Sequence, residues 1–122
     1  MPKKYLYIST AYELFRIDPE MIVFISSDGN YCNIAQADNE MRMVTYQLGT
    51  VEEFIRQQLG KESRVFLRVG KRHIINRNYI YYINTQTQKL ILSDMERFSY
   101  TVSPSKEALK QLKELIEKEE TP

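Results

Sequence analysis

The sequence is poor in the residues that build most catalytic and metal centres. It has one cysteine, one histidine, four glycines and no tryptophan. One cysteine cannot form an internal disulfide, and one histidine with one cysteine cannot form a zinc site. Four glycines leave little room for a phosphate-binding loop, a dinucleotide-binding glycine pattern or a nucleophile elbow. We therefore expect a protein that is not an enzyme, with no metal, no cofactor and no small-molecule substrate.

Two arrangements keep a catalytic alternative open. Cys32 and His73 could form a nucleophile–base pair, but neither lies in a glycine-rich elbow, and a strand cysteine is usually a small packing residue. Adjacent glutamates occur at Glu52-Glu53 and at Glu119-Glu120. Both pairs lie in or beside predicted helix ends, where capping and the helix dipole explain them. Catalysis is therefore the weaker interpretation.

Long hydrophobic runs are also missing. No apolar run approaches the roughly 18 residues that a membrane span needs, and the basic N-terminus has no apolar segment behind it that would make a secretory signal. With a single cysteine, we expect a cytoplasmic protein. Its length predicts one domain over residues 1–122, with a core from about residue 5 to 116 and a polar tail over 117–122 that frays.

The pattern of apolar residues predicts a mostly β protein with two helices. Nine tyrosines and five phenylalanines occur among short runs with apolar residues at spacing two, which is typical of strands. About eight to ten short strands are expected on this pattern. Asp28-Gly29 is the strongest turn signal, because this pair favours positive φ. Asp18-Pro19-Glu20 is expected to form a turn or a single helical turn.

One helix is predicted in the middle of the chain and one at its end. Thr50 and Glu53 have the spacing of a capping box, and Gly60 can close the first helix. Ser103 is the predicted cap of the second helix and Pro104 its first residue. Apolar residues at helical spacing predict the buried face of each helix. They are Val51, Phe54, Ile55 and Leu59 in the first helix, and Leu109, Leu112, Leu115 and Ile116 in the second.

Positive charge is concentrated in one stretch, although the net charge of the whole chain is only +1. Between residues 61 and 78 there is one acidic residue and there are six basic ones: Lys61, Arg64, Arg68, Lys71, Arg72 and Arg77. A local basic patch is typical of a nucleic-acid-binding face, although a solvated basic loop gives the same pattern. Strands separate the two predicted helices, so these cannot form a helix-turn-helix, and any DNA contact must come from loops or strands.

The centre of this stretch is predicted to be a tight turn between two strands, formed by Gly70-Lys71-Arg72. Glycine permits the sharp reversal, and the two long side chains would extend from its tip. Arginine can bond a guanine edge through two hydrogen bonds, and either residue can neutralise a phosphate. Arg68 fits a phosphate contact and a cross-strand ion pair equally well. His73 fits a half-buried strand position better than a contact with DNA.

Residues 65–80 resemble the signature of LytTR domains, the DNA-binding domains of a class of bacterial transcription regulators. In that signature a Phe-x-Arg-x-His-Arg-Ser segment leads into an apolar pair, an Asn and a Tyr-Ile. The matching residues here are Phe66, Arg68, Ile74, Ile75, Asn76, Tyr79 and Ile80. Residues 22–31, 48–54 and 100–105 are similar to three further segments of the family, in the family's order. The resemblance covers nearly the whole chain.

The resemblance implies an elongated stack of three small antiparallel sheets, and recognition of duplex DNA by loops that enter successive major grooves. It also implies promoter sites made of direct repeats and read by two copies. A second copy on DNA or a separate sensor protein of a two-component system would then be a partner. The implied DNA contacts come from three segments and are Asn30, Tyr31, Arg68, Lys71, Arg72, Ser103, Ser105 and Lys106.

The sequence departs from the family pattern in two of these segments. The family's His-Arg-Ser is replaced by Gly70-Lys71-Arg72, and Pro104-Ser105 stands where arginine is common. Both departures affect the bases that would be read or the strength of binding. Two residues of the matching segments also have structural explanations. Tyr31 could pack at the edge of a core, and Asn76 could form a hydrogen bond to the backbone of a turn.

The alternative function is a non-catalytic protein–protein interaction module on the same fold, with weak or lost DNA binding. Such a module would dock a partner through strand edges and through Tyr79, Tyr81 and Tyr82. The position of the basic side chains distinguishes the two. If the three segments carry their basic residues to one face, DNA binding is favoured, and if these residues scatter, the interaction module is favoured.

Overall fold

The computed structural model describes residues 3–120 as ten β-strands and two α-helices, with short 3-10 turns between some of them. This confirms a mostly β chain with two helices and the expected number of strands. The helices are α1 (Leu48–Leu59) and α2 (Lys106–Glu120). The strands are β1 (Leu6–Ser9), β2 (Leu14–Ile17), β3 (Ile22–Asp28), β4 (Tyr31–Gln36), β5 (Met41–Val44), β6 (Phe66–Val69), β7 (His73–Asn76), β8 (Ile80–Asn84), β9 (Lys89–Ser93) and β10 (Ser99–Val102).

The strands form three antiparallel sheets, as predicted. They are the hairpin β1–β2, a five-stranded sheet in the order β5-β4-β3-β7-β6, and a three-stranded sheet in the order β10-β9-β8. The five-stranded sheet is the central layer. Helix α1 and the β1–β2 hairpin pack on one of its faces, and the three-stranded sheet and α2 pack on the other. A hydrophobic core therefore lies on each side of the central sheet.

The central strand β3 is buried because both of its faces are covered. Its first four residues are apolar and buried. Ile22 and Ile25 belong to the core beneath α1, whereas Val23 and Phe24 belong to the opposite core. A bulge between Ile22 and Phe24 breaks the simple alternation of faces. Burial of each such isoleucine contributes roughly 1.5–3 kcal/mol to stability.

Helix α1 begins earlier than the sequence predicts. Its N-cap residue is Gln47, which makes no side-chain capping bond, and the predicted capping box is wrong because Thr50 lies inside the helix. Burial of Leu48 explains the earlier start, since this residue enters the core. Glu53 pairs with Arg56 in place of the predicted bond to Thr50. The predicted apolar face is confirmed, with Val51, Ile55 and Leu59 buried and Phe54 partly buried.

Helix α2 begins two residues later than predicted. Its cap is Ser105, whose Oγ accepts a hydrogen bond of 3.2 Å from the Ala108 N–H. Ser103 as the cap and Pro104 as the first helical residue are therefore wrong; both precede the helix, and Pro104 is buried. On the predicted apolar face, Leu109 and Leu112 are buried and Ile116 is partly buried, but Leu115 is exposed.

Part of the polar tail belongs to α2. Residues 117–120 continue α2 as helix. Two of them pair with Arg77, whose Nη2 lies 2.5 Å from Glu119 and 3.6 Å from Glu120. Residues 117–120 thus form the last turn of α2, and the fraying of the tail stays a prediction; residues 121 and 122 lie outside the described part of the chain.

The strand directions give the central sheet two distinct ends. One end carries the turns at residues 28–31 and 70–72, and we name it the basic end. The opposite end carries the turns at residues 18–21, 37–40 and 94–97, which are joined by bonds such as that from Asn39 Nδ2 to the Arg97 carbonyl, 3.0 Å. We name it the acidic end after its carboxylates, which are Asp18, Glu20, Asp38, Glu40, Asp94 and Glu96.

Candidate nucleic-acid interface

Three segments come together at the basic end. β3 and β7 are antiparallel, with Ser26 opposite His73, so the turn after β3 and the turn before β7 leave the sheet at the same end. The Ser27 N–H donates to the Arg72 carbonyl at 2.8 Å and joins the two. Residues 103–105 and the first turn of α2 line a groove of about 450 Å³ together with residues 69–73. The structure therefore brings the three predicted contact segments together.

Five side chains at this end are exposed and have no hydrogen bond or ion pair within residues 3–120. They are Asn30, Lys71, Arg72, Ser103 and Lys106. A lysine or arginine without an internal partner is available to neutralise a phosphate. Arginine and asparagine can also bond base edges in a major groove. Contact of these residues with DNA stays a prediction.

Other titratable groups at this end add no positive charge at neutral pH. Burial, and then the charge of Arg72, lower the pKa of His73, so its ring is neutral at pH 7. A hydrogen bond between the Tyr31 hydroxyl and Asp28, and the charge of that carboxylate, raise the pKa of Tyr31. Glu107 lines the groove and carries negative charge. The positive charge therefore rests on the lysine and arginine side chains.

The backbone of the basic turn is fixed on both sides. Gly70 has φ +66°, and a Cβ at this position would lie 3.4 Å from the Cβ of Ala108 on α2, so the turn packs closely on the helix. The carbonyls of Gly70 and Lys71 accept hydrogen bonds from the Arg68 side chain. The turn thus has a defined conformation from which its two cationic side chains extend.

Three of the predicted contact residues have partners inside the protein. Arg68 pairs with Glu52 of α1 at 2.9 Å in addition to its bonds with the turn. Ser105 caps α2. Tyr31 is half-buried and interacts with Asp28, which raises its pKa. These internal partners fix the segments from which the exposed side chains extend.

Glu52 is the site residue that sequence reasoning missed. The sequence explains it as part of a helix terminus, but it lies sixteen positions from Arg68 and reaches it only because α1 packs over the sheet. No local sequence pattern pointed to this pair, because it depends on the pairing of β6 with β7. In the register of β6 with β7, Arg68 is opposite Ile74, which faces the core beneath α1. A carboxylate on α1 is therefore the natural partner, once that register is known.

The buried asparagine has the structural role that we predicted for it. The Asn76 side chain donates to the Ile22 carbonyl at 3.0 Å and accepts from the Asn78 N–H at 3.0 Å. These bonds fix the end of β7 and the 3-10 turn that follows it. Asn76 thus serves the fold at the acidic end.

The three tyrosines considered for protein docking do not share one environment. Tyr79 is half-buried, with its ring 5.1 Å from that of Phe98 and its hydroxyl donating to the Glu20 carbonyl at 2.6 Å. Tyr81 and Tyr82 are exposed by 59% and 43%. A docking surface of the alternative kind would therefore involve only the latter two.

The catalytic pair considered from the sequence is separated by the central sheet. Cys32 is buried in the core beneath α1, and burial raises its pKa. The His73 ring lies 6.5 Å from that of Phe24, in the opposite core.

Among residues 3–120, no group of three or more potential ligands is placed to hold a metal ion. Neither of the two described helices has the length and apolarity of a membrane span.

Comparison with known proteins agrees with this geometry. The family model of the LytTr DNA-binding domain matches residues 12–117. A solved LytTr DNA-binding domain from Bacillus cereus superimposes with a TM-score of 0.61 at 16% identity, covering 94% of this chain and 98% of that one. At this identity the likeness shows the fold. No curated protein sequence matches the chain. Because the family match spans most of the chain, including the basic turn and its flanking strands, the chain belongs to the LytTr DNA-binding domain family.

Proposed function

We propose that this chain binds duplex DNA sequence-specifically as part of a bacterial LytTR-type transcription regulator, through loops that enter successive major grooves. The observation that carries the proposal is the pair of exposed, unpaired side chains of Lys71 and Arg72 on a turn with a fixed backbone. A preformed turn loses little conformational entropy on binding, so less of the interaction energy is spent on ordering it.

Each of the three segments has a proposed role. Lys71 and Arg72 neutralise phosphates or bond a guanine edge. Asn30, on the neighbouring turn, contacts a base or phosphate together with Tyr31. Ser103 and Lys106 contact the backbone of the next groove. The Ser105 Oγ accepts a hydrogen bond from the Ala108 N–H of α2. The proton of the Ser105 hydroxyl can therefore still be donated to a phosphate.

The proposed sites are direct repeats in promoters, with one copy of the domain on each repeat. A second copy on the same DNA face and a separate sensor protein of a two-component system are the proposed protein partners. The regulator would act in the bacterial cytoplasm, where both its DNA and such a sensor's output are found. Selection of bound duplexes from a random pool would show whether the enriched sequences contain two spaced repeats.

A fluorescence-anisotropy titration with mixed genomic duplex at two salt concentrations tests the DNA-binding proposal. We expect binding that weakens with salt. We expect Lys71→Ala with Arg72→Ala to weaken it by about 10- to 100-fold and to lower the salt slope by up to about two, since each lost phosphate contact removes roughly one.

A matched control removes the same charge from the opposite end. Arg42 and Arg97 are exposed and lie at the acidic end of the molecule. Replacing both with alanine should change DNA affinity less than threefold, because salt screens exposed charges that lie far from the proposed interface. If the turn variant binds DNA as well as the unmodified protein, the basic turn is not the contact.

The alternative function is a protein-interaction module. It is favoured by the exposed Tyr81 and Tyr82 on β8, where Tyr82 is opposite Ile91 on β9. Aromatic side chains of this kind are common at protein interfaces. Absence of DNA binding at tens of micromolar protein, or binding that does not depend on salt, would favour this function over the first.

A further inference from the structure

We infer that Arg68 is a positioning residue for the basic turn and does not itself contact DNA, and that Glu52 of α1 holds Arg68 in place. The inference rests on the proposed function, because it explains how the turn is presented to DNA. It assigns a role in recognition to Glu52, an acidic residue on a helix that carries none of the three contact segments.

The geometry uses all three nitrogens of the Arg68 guanidinium. Nε donates to the Gly70 carbonyl at 3.2 Å, and Nη2 donates to the Lys71 carbonyl at 3.1 Å. Nη1 donates to Glu52 Oε1 at 2.9 Å. Each nitrogen therefore has an oxygen partner within the protein. One planar group joins the helix to two successive peptide units of the turn.

The third carbonyl of the turn is also bonded, because that of Arg72 accepts from the Ser27 N–H at 2.8 Å. A carbonyl oxygen carries partial negative charge and would be repelled by a phosphate. With all three carbonyls bonded inside the protein, the turn presents its cationic side chains to DNA. Arg68 supplies two of the three bonds and is therefore the main determinant of this arrangement.

The planar shape of the guanidinium group explains why arginine is needed at this position. Guanidinium holds its donors in a rigid plane, whereas the single nitrogen of lysine cannot reach three fixed oxygens in the same arrangement. An exposed ion pair on its own adds little stability. The effect of the Glu52–Arg68 pair therefore lies in the orientation of the turn, more than in the stability of the whole domain.

Charge and positioning predict opposite effects for Glu52. If only net charge mattered, Glu52→Gln would strengthen DNA binding, because it removes a negative charge near the turn. If Glu52 holds Arg68, the same change weakens binding. Glu53→Gln is a matched control: it makes the same charge change one residue along α1, at 41% side-chain exposure against 42% for Glu52. Glu53 pairs with Arg56 and does not contact the turn.

The experiment measures DNA affinity and backbone order in the same variants. The affinities come from anisotropy with a mixed duplex, and ¹⁵N order parameters of residues 70–72 are measured in the DNA-free protein. We expect Arg68→Lys and Glu52→Gln to weaken binding by about three- to tenfold. We expect the order parameters to fall from about 0.85 towards 0.6. Glu53→Gln should leave the order parameters unchanged and should not weaken binding.

Several results would overturn the inference. If Arg68 is a phosphate contact, Arg68→Lys keeps binding, because lysine also neutralises a phosphate. If Arg68 bonds a base, Arg68→Lys weakens binding but leaves the order parameters of the free protein unchanged. If Glu52→Gln strengthens binding as Glu53→Gln does, Glu52 acts through charge alone. The order parameters need no DNA, so they test the positioning role even if Lys71 and Arg72 prove not to contact DNA.

Discussion

The two ends of the central sheet use polar residues in opposite ways. At the acidic end, several polar side chains are bonded within the protein, as in the bonds of Asn76 to the Ile22 carbonyl and of Asn39 to the Arg97 carbonyl, although the exposed side chain of Arg42 has no partner within residues 3–120. At the basic end, backbone groups are bonded, but within the described chain the side chains of Lys71 and Arg72 have no such partner. Polar side chains at the acidic end thus bond neighbouring turns and strand ends to one another, whereas Lys71 and Arg72 at the basic end make no such bonds.

The comparison also explains why net charge is a poor guide to the function of this chain. Burial, and then Asp38 and Glu40, raise the pKa of Tyr100. Burial, followed by Glu20 and then Asp94, raises the pKa of Tyr79. Carboxylates thus lie close to both tyrosines, although Arg97 lowers the pKa of Tyr79, and Lys3 and Arg97 pair with carboxylates at this end. A net charge of +1 therefore conceals a polarised molecule, and this polarity favours one orientation towards DNA.

Reversing the charge of the basic turn should have the largest effect. Lys71→Glu with Arg72→Glu places two carboxylates where phosphates are proposed to bind, so we expect a loss of affinity of about 1000-fold or more. Anisotropy with the same duplex measures it. The matched variant reverses two exposed carboxylates of the acidic end, Glu20→Lys with Glu96→Lys, and should not weaken binding. Equal losses in both variants would contradict the assignment of the two ends.

Removing the buried asparagine should have the next largest effect, on stability. Asn76→Ala leaves the Ile22 carbonyl without its bond in a buried site, which costs about 2 kcal/mol of unfolding free energy. Asn78→Ala is the control, because this exposed residue bonds Asn76 only through its backbone N–H, which alanine keeps. Urea unfolding followed by circular dichroism measures both. A midpoint for Asn76→Ala equal to that of the unmodified protein would show that this end does not stabilise the fold.

The smallest effect concerns pH. Backbone hydrogen bonds, chiefly from the Glu96 N–H, lower the pKa of Asp94 from 3.8 to about 2. A lowered pKa contributes stability that is present above the ordinary pKa of the carboxyl and is lost as the pH falls through the folded value. The protein should therefore lose stability between about pH 4 and pH 2, and Asp94→Asn should lose less in that window. Urea midpoints across this range measure it, with Glu96→Gln as control; identical profiles for Asp94→Asn and the unmodified protein would exclude this role.

The fold could be predicted largely from local signals. The Asp28-Gly29 turn and the apolar faces of the helices follow from spacing and turn chemistry, and the structure shows both. The helix starts could not be predicted, because burial of Leu48 extends α1 beyond its capping signal. The predicted cap of α2 is Ser103, but Ser105 caps the helix. Pro104, between them, is buried and precedes the helix.

The site could be predicted in part. The basic turn is visible in sequence because its charge and its glycine are adjacent. The partner of Arg68 is not visible, because Glu52 is brought to it by the packing of α1 on the sheet. The division of β3 between two cores was likewise hidden, since a bulge in its pairing with β4 breaks the two-residue alternation. Both features depend on contacts between residues far apart in sequence, which local sequence patterns do not reveal.

The central claim is that DNA meets the basic end and not the acidic end. Titration of ¹⁵N-labelled protein with a duplex that it binds, followed by backbone amide shifts, tests this directly. We expect the largest shifts at residues 29–31, 70–72 and 103–106, and little change at residues 37–40 and 94–97. Shifts concentrated at the latter two turns, or on the strand that carries Tyr81 and Tyr82, would contradict the account.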